Sequence, residues 1–213
     1  MKEAQGVWLP DDEEHLQRYF EGYPATYQYK KYKAALRCIK TRKNAIDVGG
    51  HAGLWSMNMV NDFEYVSAFE PISEHRECFK KNVKGDNHTL YPYACGEVND
   101  TVSMCRRDKH TGYSYVSNGK DKDPIVEEGV EQIRIDDFDF EDVSFIKLDC
   151  EGYEYQALKG AENTIKRCKP VIIVEQKPGN REKYGKAYDG RDYLIGLGMK
   201  LHVEMSSDFI MKW

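Results

Sequence analysis

The chain has 213 residues, with 31 Lys and Arg against 36 Asp and Glu and a formal charge of -5. That length suits one domain with a sizeable core, and a mild acidity without any long basic block speaks against a nonspecific nucleic-acid groove. No run approaches the roughly eighteen apolar residues of a membrane span, no cleavable leader pattern opens the chain, and six cysteines without a C-x-x-C pair read as reduced thiols rather than a zinc site; the expectation is a soluble, cytoplasmic protein.

Residues 1–43 read as a short helical extension. Pro10 and the acids of 11–14 begin a helix through about Phe20, whose Leu16, Tyr19 and Phe20 recur at three and four and form one packing face. This segment either covers part of a ligand mouth or is a simple cap. Thr26 offers an N-cap for a helix through about Ile39, and the cations that close it, Lys40, Arg42 and Lys43, suit a helix end facing solvent.

The stretch 44–71, NAIDVGGHAGLWSMNMVNDFEYVSAFEP, organises the rest. It predicts a strand over 45–48, a glycine turn (Gly49, Gly50, Gly53), a helix over 54–61 and a second strand over 65–69 that ends at Glu70, which is half of a nucleotide-binding βαβ unit. A dinucleotide fingerprint requires G-x-G-x-x-G. Reading back from Gly53 puts Val48 at the first glycine, and reading forward from Gly49 puts His51 and Leu54 at the other two, so neither frame fits. The acid before the turn, Asp47, can accept hydrogen bonds from loop N–H groups or, through water, from an ammonium group. A diphosphate is repelled there, whereas the amino-acid moiety and sulfonium of S-adenosylmethionine are favoured. Glu70, at the carboxyl end of the next strand, is placed to take the ribose hydroxyls of an adenosine, and Pro71 follows it in the same site.

A helix is expected over 71–82, with Ser73 as a possible cap and His75 on the side of Ile72, Cys78 and Phe79, which suits packing. Residues 89–94 suggest a third strand, short because of Pro92, with Ala94 and Cys95 at its end beside the adenine. Residues 98–105 suggest an extra strand, 106–124 a long polar loop with some structure near 112–116, and 130–135 another strand. A buried strand at 143–148 leads to Asp149. A helix over 151–168 follows, with Tyr155, Leu158, Ala161 and Ile165 as its apolar positions, and Gly160 there either breaks it or serves close packing. A short apolar strand at 171–174 ends at Glu175, completing a parallel βαβ unit. A charged loop over 180–189 carries Tyr184 and Tyr188, a helix begins at Arg191, and 201–203 with 208–211 form an antiparallel edge.

Strand ends in a parallel sheet face one crevice, so Glu70, Asp149, Glu151 and Glu175 are candidates for a common site. Methyl transfer from a sulfonium requires alignment, exclusion of water and removal of a proton from a hydroxyl acceptor. Asp149 is the first choice for orienting and deprotonating that hydroxyl and Glu175 the second, with Glu151 beside them. His51 and His110 are further candidate bases, although His51 sits so near the cofactor part of the turn that a structural or cofactor contact suits it better. Lys147, just before Asp149, is expected on the opposite face, its amine reaching the site only through a strand-end twist. Converging acids can also hold a hard divalent cation, but no metal ligands are assigned.

These blocks resemble the FkbM family of S-adenosylmethionine-dependent methyltransferases: D-V-G-G-H-A-G at 47–53, F-E-P at 69–71, T-G-Y-S at 111–114, I-D-D-F at 135–138, F-I-K-L-D-C-E-G-Y-E at 145–154, L-K-G-A at 158–161 and P-V-I-I-V-E at 170–175. The resemblance runs from about Ala45 to the C-terminus, and 145–154 is its most specific part. It implies a class I, Rossmann-like α/β domain over 44–213, with a mostly parallel seven-stranded sheet and an antiparallel C-terminal edge. By it Asp47, Gly49 and Glu70 contact the cofactor, Asp149 and Glu151 line the active crevice, and the product is S-adenosylhomocysteine. Members that are understood O-methylate sugar or polyketide-like hydroxyls, so a hydroxylated small molecule or glycan is the expected acceptor. The chain departs from the pattern at Gly50 and His51, where a small residue and Asn are commoner, and at Cys95, where no acid stands to accept the adenine amine. Three rival readings are a nicotinamide oxidoreductase, a methyltransferase acting on RNA or an amine, and a non-catalytic binding protein on the same fold.

Overall fold

The computed structural model describes residues 1–20, 26–177 and 189–213. A hairpin of β1 (Lys2–Ala4) and β2 (Val7–Leu9) opens the chain, then a 3-10 turn at Leu16–Tyr19 and α1 (Tyr29–Leu36). The body follows as β3 (Asn44–Val48), α2 (Ser56–Asp62), β4 (Tyr65–Phe69), α3 (Ser73–Asn82) and β5 (His88–Tyr91). Next come β6 (Ala94–Cys95), β7 (Asp100–Arg106), β8 (Ser114–Val116), β9 (Ile125–Ile133) and a 3-10 turn at Ile135–Phe138. The remainder is β10 (Val143–Leu148), α4 (Glu154–Lys159), α5 (Glu162–Cys168), β11 (Val171–Glu175), α6 (Gly190–Gly196), β12 (Lys200–Met205) and β13 (Asp208–Lys212).

Seven strands form one sheet in the order β12-β13-β11-β10-β3-β4-β5. The four pairings from β11 through β10, β3 and β4 to β5 are all parallel, and β13 and β12 add antiparallel at the far edge. Alternation divides the buried residues of the central strands between two layers. Ala45, Phe145 and Ile173 pack with Tyr32, Trp55 and Met59 on one face; Ile46, Ile146, Ile172 and Val174 pack with Leu158, Ile165 and Leu194 on the other. The chain runs outward from β3 to β4 and β5, then returns to place β10 on the other side of β3. The carboxyl ends of β3 and β10 therefore border a topological switch point, where open parallel sheets hold ligands.

A second sheet, β6-β9-β7-β8, stands beside this crevice; the strands expected over 98–105 and 130–135 are β7 and β9, but their joining into a separate sheet was not foreseen. Pro92 ends the strand foreseen over 89–94, and Ala94 and Cys95 pair instead with Gln132 and Ile133 of β9. The helix foreseen over 151–168 divides at Gly160, where a Cβ would lie 1.9 Å from the Gly96 carbonyl oxygen. Close backbone approach, one of the two roles foreseen for Gly160, thus accompanies the break.

The extension keeps its helical character in the 3-10 turn and α1, which is shorter than the span foreseen, and adds the hairpin. Asn82 at the end of α3 fastens that hairpin. Its side chain accepts from the Trp8 N–H at 2.8 Å and donates to the carbonyls of Trp8 and Ala52, both at 2.7 Å. The loop foreseen over 180–189, with Tyr184 and Tyr188, lies outside the described residues except for Asp189.

Candidate active site

The cleft at the switch point lies between the ends of β3, β4 and β10 and the strands of the second sheet. Its floor is the glycine turn after β3. Gly49 has φ 76° and a Cβ there would stand 2.0 Å from the Asp149 carbonyl oxygen, so only glycine lets the two strand ends meet. Gly49 and Gly50 both donate their N–H to the Phe69 carbonyl at 3.0 Å and both line the cleft. Gly53 faces Val83 and Phe79 instead and does not line it.

Asp47 requires a correction. It is fully buried, and its carboxylate accepts from the Ser56 hydroxyl at 2.7 Å and pairs with the Lys147 ammonium at 3.2 Å, so it reaches neither loop N–H groups nor the cleft lining. β3 and β10 are parallel neighbours with Asp47 opposite Lys147, and residues in register share a face. Lys147 is corrected for the same reason: two residues from Asp149, it lies on that residue's side of the sheet. Its ammonium donates to the carbonyls of Gly49 at 2.8 Å and Val48 at 3.4 Å. Burial opposes its charge, but Asp47 and Asp149 raise its pKa above the ordinary range. The pair thus holds the turn from beneath.

Glu70 ends β4 inside the cleft, with Pro71 beside it. One carboxylate oxygen accepts from the His51 N–H at 2.8 Å; the other accepts from the Ile72 N–H at 2.9 Å and from His75 Nδ1 at 3.2 Å. Burial alone would raise its pKa, yet the His75 contact, His51 and the Ile72 N–H bring it below the usual carboxylate value. An ionised carboxylate can only accept, so His75 Nδ1 carries the proton of that bond. His75, expected only to pack, is buried as expected but also lines the cleft, and its Nε2 has no hydrogen-bond partner among the described residues. An ionised carboxylate beside an unpartnered ring nitrogen suits a ligand rich in O–H donors, as a ribose diol is. Ala94 and Cys95 line the same cleft from β6.

The second group of acids gathers where β10 and β11 end. Asp149, Glu151 and Glu175 each offer an oxygen within 4.8 Å of the others. The Lys177 ammonium stands 2.6 Å from Glu151 and 2.7 Å from Glu175. Asp149 is held ionised: burial opposes this, but Lys147, Lys177 and a hydrogen bond from Glu175 lower its pKa. Burial and the Asp149 charge push Glu151 up to about 8 and raise Glu175 well above its ordinary value, so Glu175 keeps the proton that it shares with Asp149. Asp149 and Glu151 line the cleft, while Glu175 stands behind them. The trio has the oxygen chemistry of a divalent-cation site, but Lys177 already supplies a positive charge between two of its members.

The turn that presents these acids is fastened by Glu154, whose carboxylate accepts from the N–H groups of Cys150 at 2.8 Å and Gly152 at 3.1 Å. That support lets Glu151 hold φ 52° and Gly152 φ 108°. Burial pushes the Glu154 carboxyl up to about 7 against those bonds.

His51 has φ 46° and lines the cleft. Burial, and then His75, drive its pKa down to about 3, so the ring is uncharged near neutrality. His110 lies outside the cleft lining, its ring stacked on His15. The sequence reading passed over Lys177, Glu13, Thr111 and Tyr27. Thr111 could have been found from the T-G-Y-S block that holds it, whereas Lys177 and Glu13 carry no motif. Tyr27 and Leu16 bring the extension into the cleft wall, and the Tyr27 phenol is kept neutral by burial and by Asp149 and Glu175 nearby.

Among solved structures, an FkbM methyltransferase from Methylobacillus flagellatus KT matches with a TM-score of 0.52 at 19% identity, over 80% of this chain and 43% of its own. The chain thus spans less than half of that protein. A precorrin-6y C5,15-methyltransferase from Geobacter metallireducens GS-15 matches with a TM-score of 0.50 at 14% identity, over 86% of this chain and 87% of its own. A precorrin 8w decarboxylase from Methanobacterium thermoautotrophicum gives 0.51 and 14%, over 87% and 89%. At these identities the matches speak to fold, and that fold is the class I, Rossmann-like one of S-adenosylmethionine-dependent methyltransferases. No curated protein sequence matches the chain significantly. The model of the methyltransferase FkbM domain matches residues 47–205, from the acid before the glycine turn to the end of β12, and on that match the chain belongs to the FkbM methyltransferase family.

Proposed function

We propose that the chain is an S-adenosylmethionine-dependent O-methyltransferase acting on a hydroxyl of a sugar-like or other polar small molecule. The observation that carries this reading is Asp149, held ionised at the cleft by Lys147 and Lys177 and backed by a protonated Glu175. When bound, the cofactor supplies an electrophilic methyl group on a sulfonium. Glu70, with His75 beside it, holds the ribose hydroxyls, and the turn at Gly49 and Gly50 lets backbone approach the ligand. Ala94 and Cys95 border the base.

Asp149 then accepts a hydrogen bond from the acceptor hydroxyl and turns its oxygen toward the methyl group. Were the sulfonium methyl to pass to that oxygen, the S–CH₃ bond would break with its electron pair retained by sulfur, and the hydroxyl proton would go to the Asp149 carboxylate. Leu16, Tyr27, Met104 and Val116 contribute apolar surface to the same cleft and reduce the access of water to this exchange. The acids and the tyrosine near them suit an acceptor with several hydroxyls, because carboxylates receive their hydrogen bonds and rings cover the apolar faces of sugars.

A panel of hydroxylated acceptors, read by release of S-adenosylhomocysteine and by mass analysis of the product, tests the proposal. Transfer to a polyhydroxylated acceptor supports it. Transfer confined to amines or RNA, or cofactor binding without turnover on any acceptor, overturns it.

A further inference from the structure

Three polar side chains from distant parts of the chain lie in one line against the cleft. Glu13, in the extension, is fully buried. Its carboxylate accepts from the N–H groups of His15, Leu16 and Thr111 and from the Thr111 hydroxyl, at 2.5 to 2.7 Å. Burial works against its ionisation, but the Thr111, Leu16 and His15 bonds keep its pKa below the ordinary carboxylate value. The carboxylate therefore only accepts.

That fixes the rest of the line by the supply of protons. Thr111 has one hydroxyl proton, and Glu13 takes it. The Thr111 oxygen, 2.9 Å from His51 Nε2, can then only accept from the ring, so Nε2 carries the proton. Since the ring stays neutral, Nδ1 is left with its lone pair. The backbone of His51 is fixed too, by its N–H bond to Glu70. The ring lies 4.2 Å from that of His75, which is itself bonded to Glu70.

We propose that Glu13, acting through Thr111, is a positioning residue that sets the tautomer of His51, so that His51 Nδ1 accepts a hydrogen bond from an O–H or N–H donor of the bound cofactor. The ligand contact rests on the cofactor reading above, while the tautomer does not. The extension then contributes to the chemistry of the cleft as well as to its wall. A Glu13 that served only to close the 3-10 turn would leave the Thr111 hydroxyl and the His51 ring free to exchange donor and acceptor roles.

Long-range ¹H–¹⁵N correlation spectra of the full chain read the tautomer directly, and calorimetric titration with S-adenosylhomocysteine reads the contact. The wild type is expected to hold a single Nε2-protonated His51. Thr111→Ser, which keeps the hydroxyl, preserves both tautomer and affinity. Thr111→Val and Glu13→Gln are expected to lose the single tautomer and to bind S-adenosylhomocysteine roughly five- to tenfold more weakly, the scale of one hydrogen bond. If Glu13→Gln does not fold, the wild type and the two Thr111 variants decide alone. A wild-type His51 protonated at Nδ1, or a Thr111→Val variant with unchanged tautomer and affinity, overturns the proposal. A wild type that keeps the Nε2 tautomer but binds no S-adenosylhomocysteine overturns the cofactor contact and leaves the relay supported.

Discussion

Glu154→Gln isolates the cost of burying the carboxyl that fastens the acid-bearing turn. The amide keeps an acceptor for the Cys150 and Gly152 N–H groups and removes the charge. In the folded chain this carboxyl titrates at about 7 against an ordinary 4.5. A raised folded pKa means that the group's contribution is complete below about 4.5 and is lost as pH rises through about 7. Between those limits the folded state binds more protons than the unfolded one, and stability falls by ~1.4 kcal/mol per pH unit. Over that interval the wild type loses about 3 kcal/mol that the glutamine variant keeps. Urea unfolding across roughly pH 5 to 8 measures it through the midpoint at constant m-value. The variant should match the wild type at the acid end and exceed it increasingly toward the alkaline end. Parallel stability curves, or a gap that widens toward acid, would refute the argument from burial.

Glu70→Ala should weaken binding of S-adenosylhomocysteine by about 2 to 3 kcal/mol, because it removes a charged acceptor and leaves the His51 and Ile72 N–H groups unpaired; near-normal affinity by calorimetry counts against the ribose assignment. Asp149→Asn should spare cofactor binding and lower the transfer rate by ~10²-fold, the scale of a lost general base, and single-turnover rates decide it. Exhaustive chelation should leave transfer unchanged, since the Lys177 ammonium already stands between Glu151 and Glu175; activity lost to chelation and restored by a divalent cation would show that a metal replaces that ammonium.

The β3–turn–α2–β4 unit was legible because each of its parts leaves a local mark: an apolar run, glycines, a helical period and a strand-end acid. β10 and β11 were legible for the same reason, being buried on both faces. Of the second sheet, strands at 98–105 and 130–135 were foreseen and recur as β7 and β9 with shifted bounds, but their assembly was not. β7 and β9 are largely exposed along one edge and their pairing shifts register twice, so their hydrophobic period is blurred. β1 and β2 have three residues each, too few for a period to register. At the site, Glu70, Asp149, Glu151 and Glu175 could be named because strand ends concentrate at one crevice. Asp47 was misplaced because its partner is chosen by strand order: Lys147 stands beside it only once β10 lies next to β3, a hundred residues later in the chain. Glu13 read as a helix-start acid because nothing local announces Thr111, whose N–H and hydroxyl it takes from across the molecule.

The Asn82 side chain binds the hairpin strand at Trp8 and the glycine turn at Ala52 with one amide group. Lifting the hairpin therefore leaves the Asn82 side-chain oxygen and one of its N–H groups without their Trp8 partners, on the same amide that holds the turn. If a ligand binds the docked form more tightly than the lifted one, occupancy and hairpin docking favour each other by the same free energy. A ligand held at a hundred times its dissociation constant, if it binds only the docked form, shifts that equilibrium by about 2.7 kcal/mol. Cleavage by a protease within the first strands then becomes a gauge of occupancy at a site the protease never touches, slowed about a hundredfold by ligand alone.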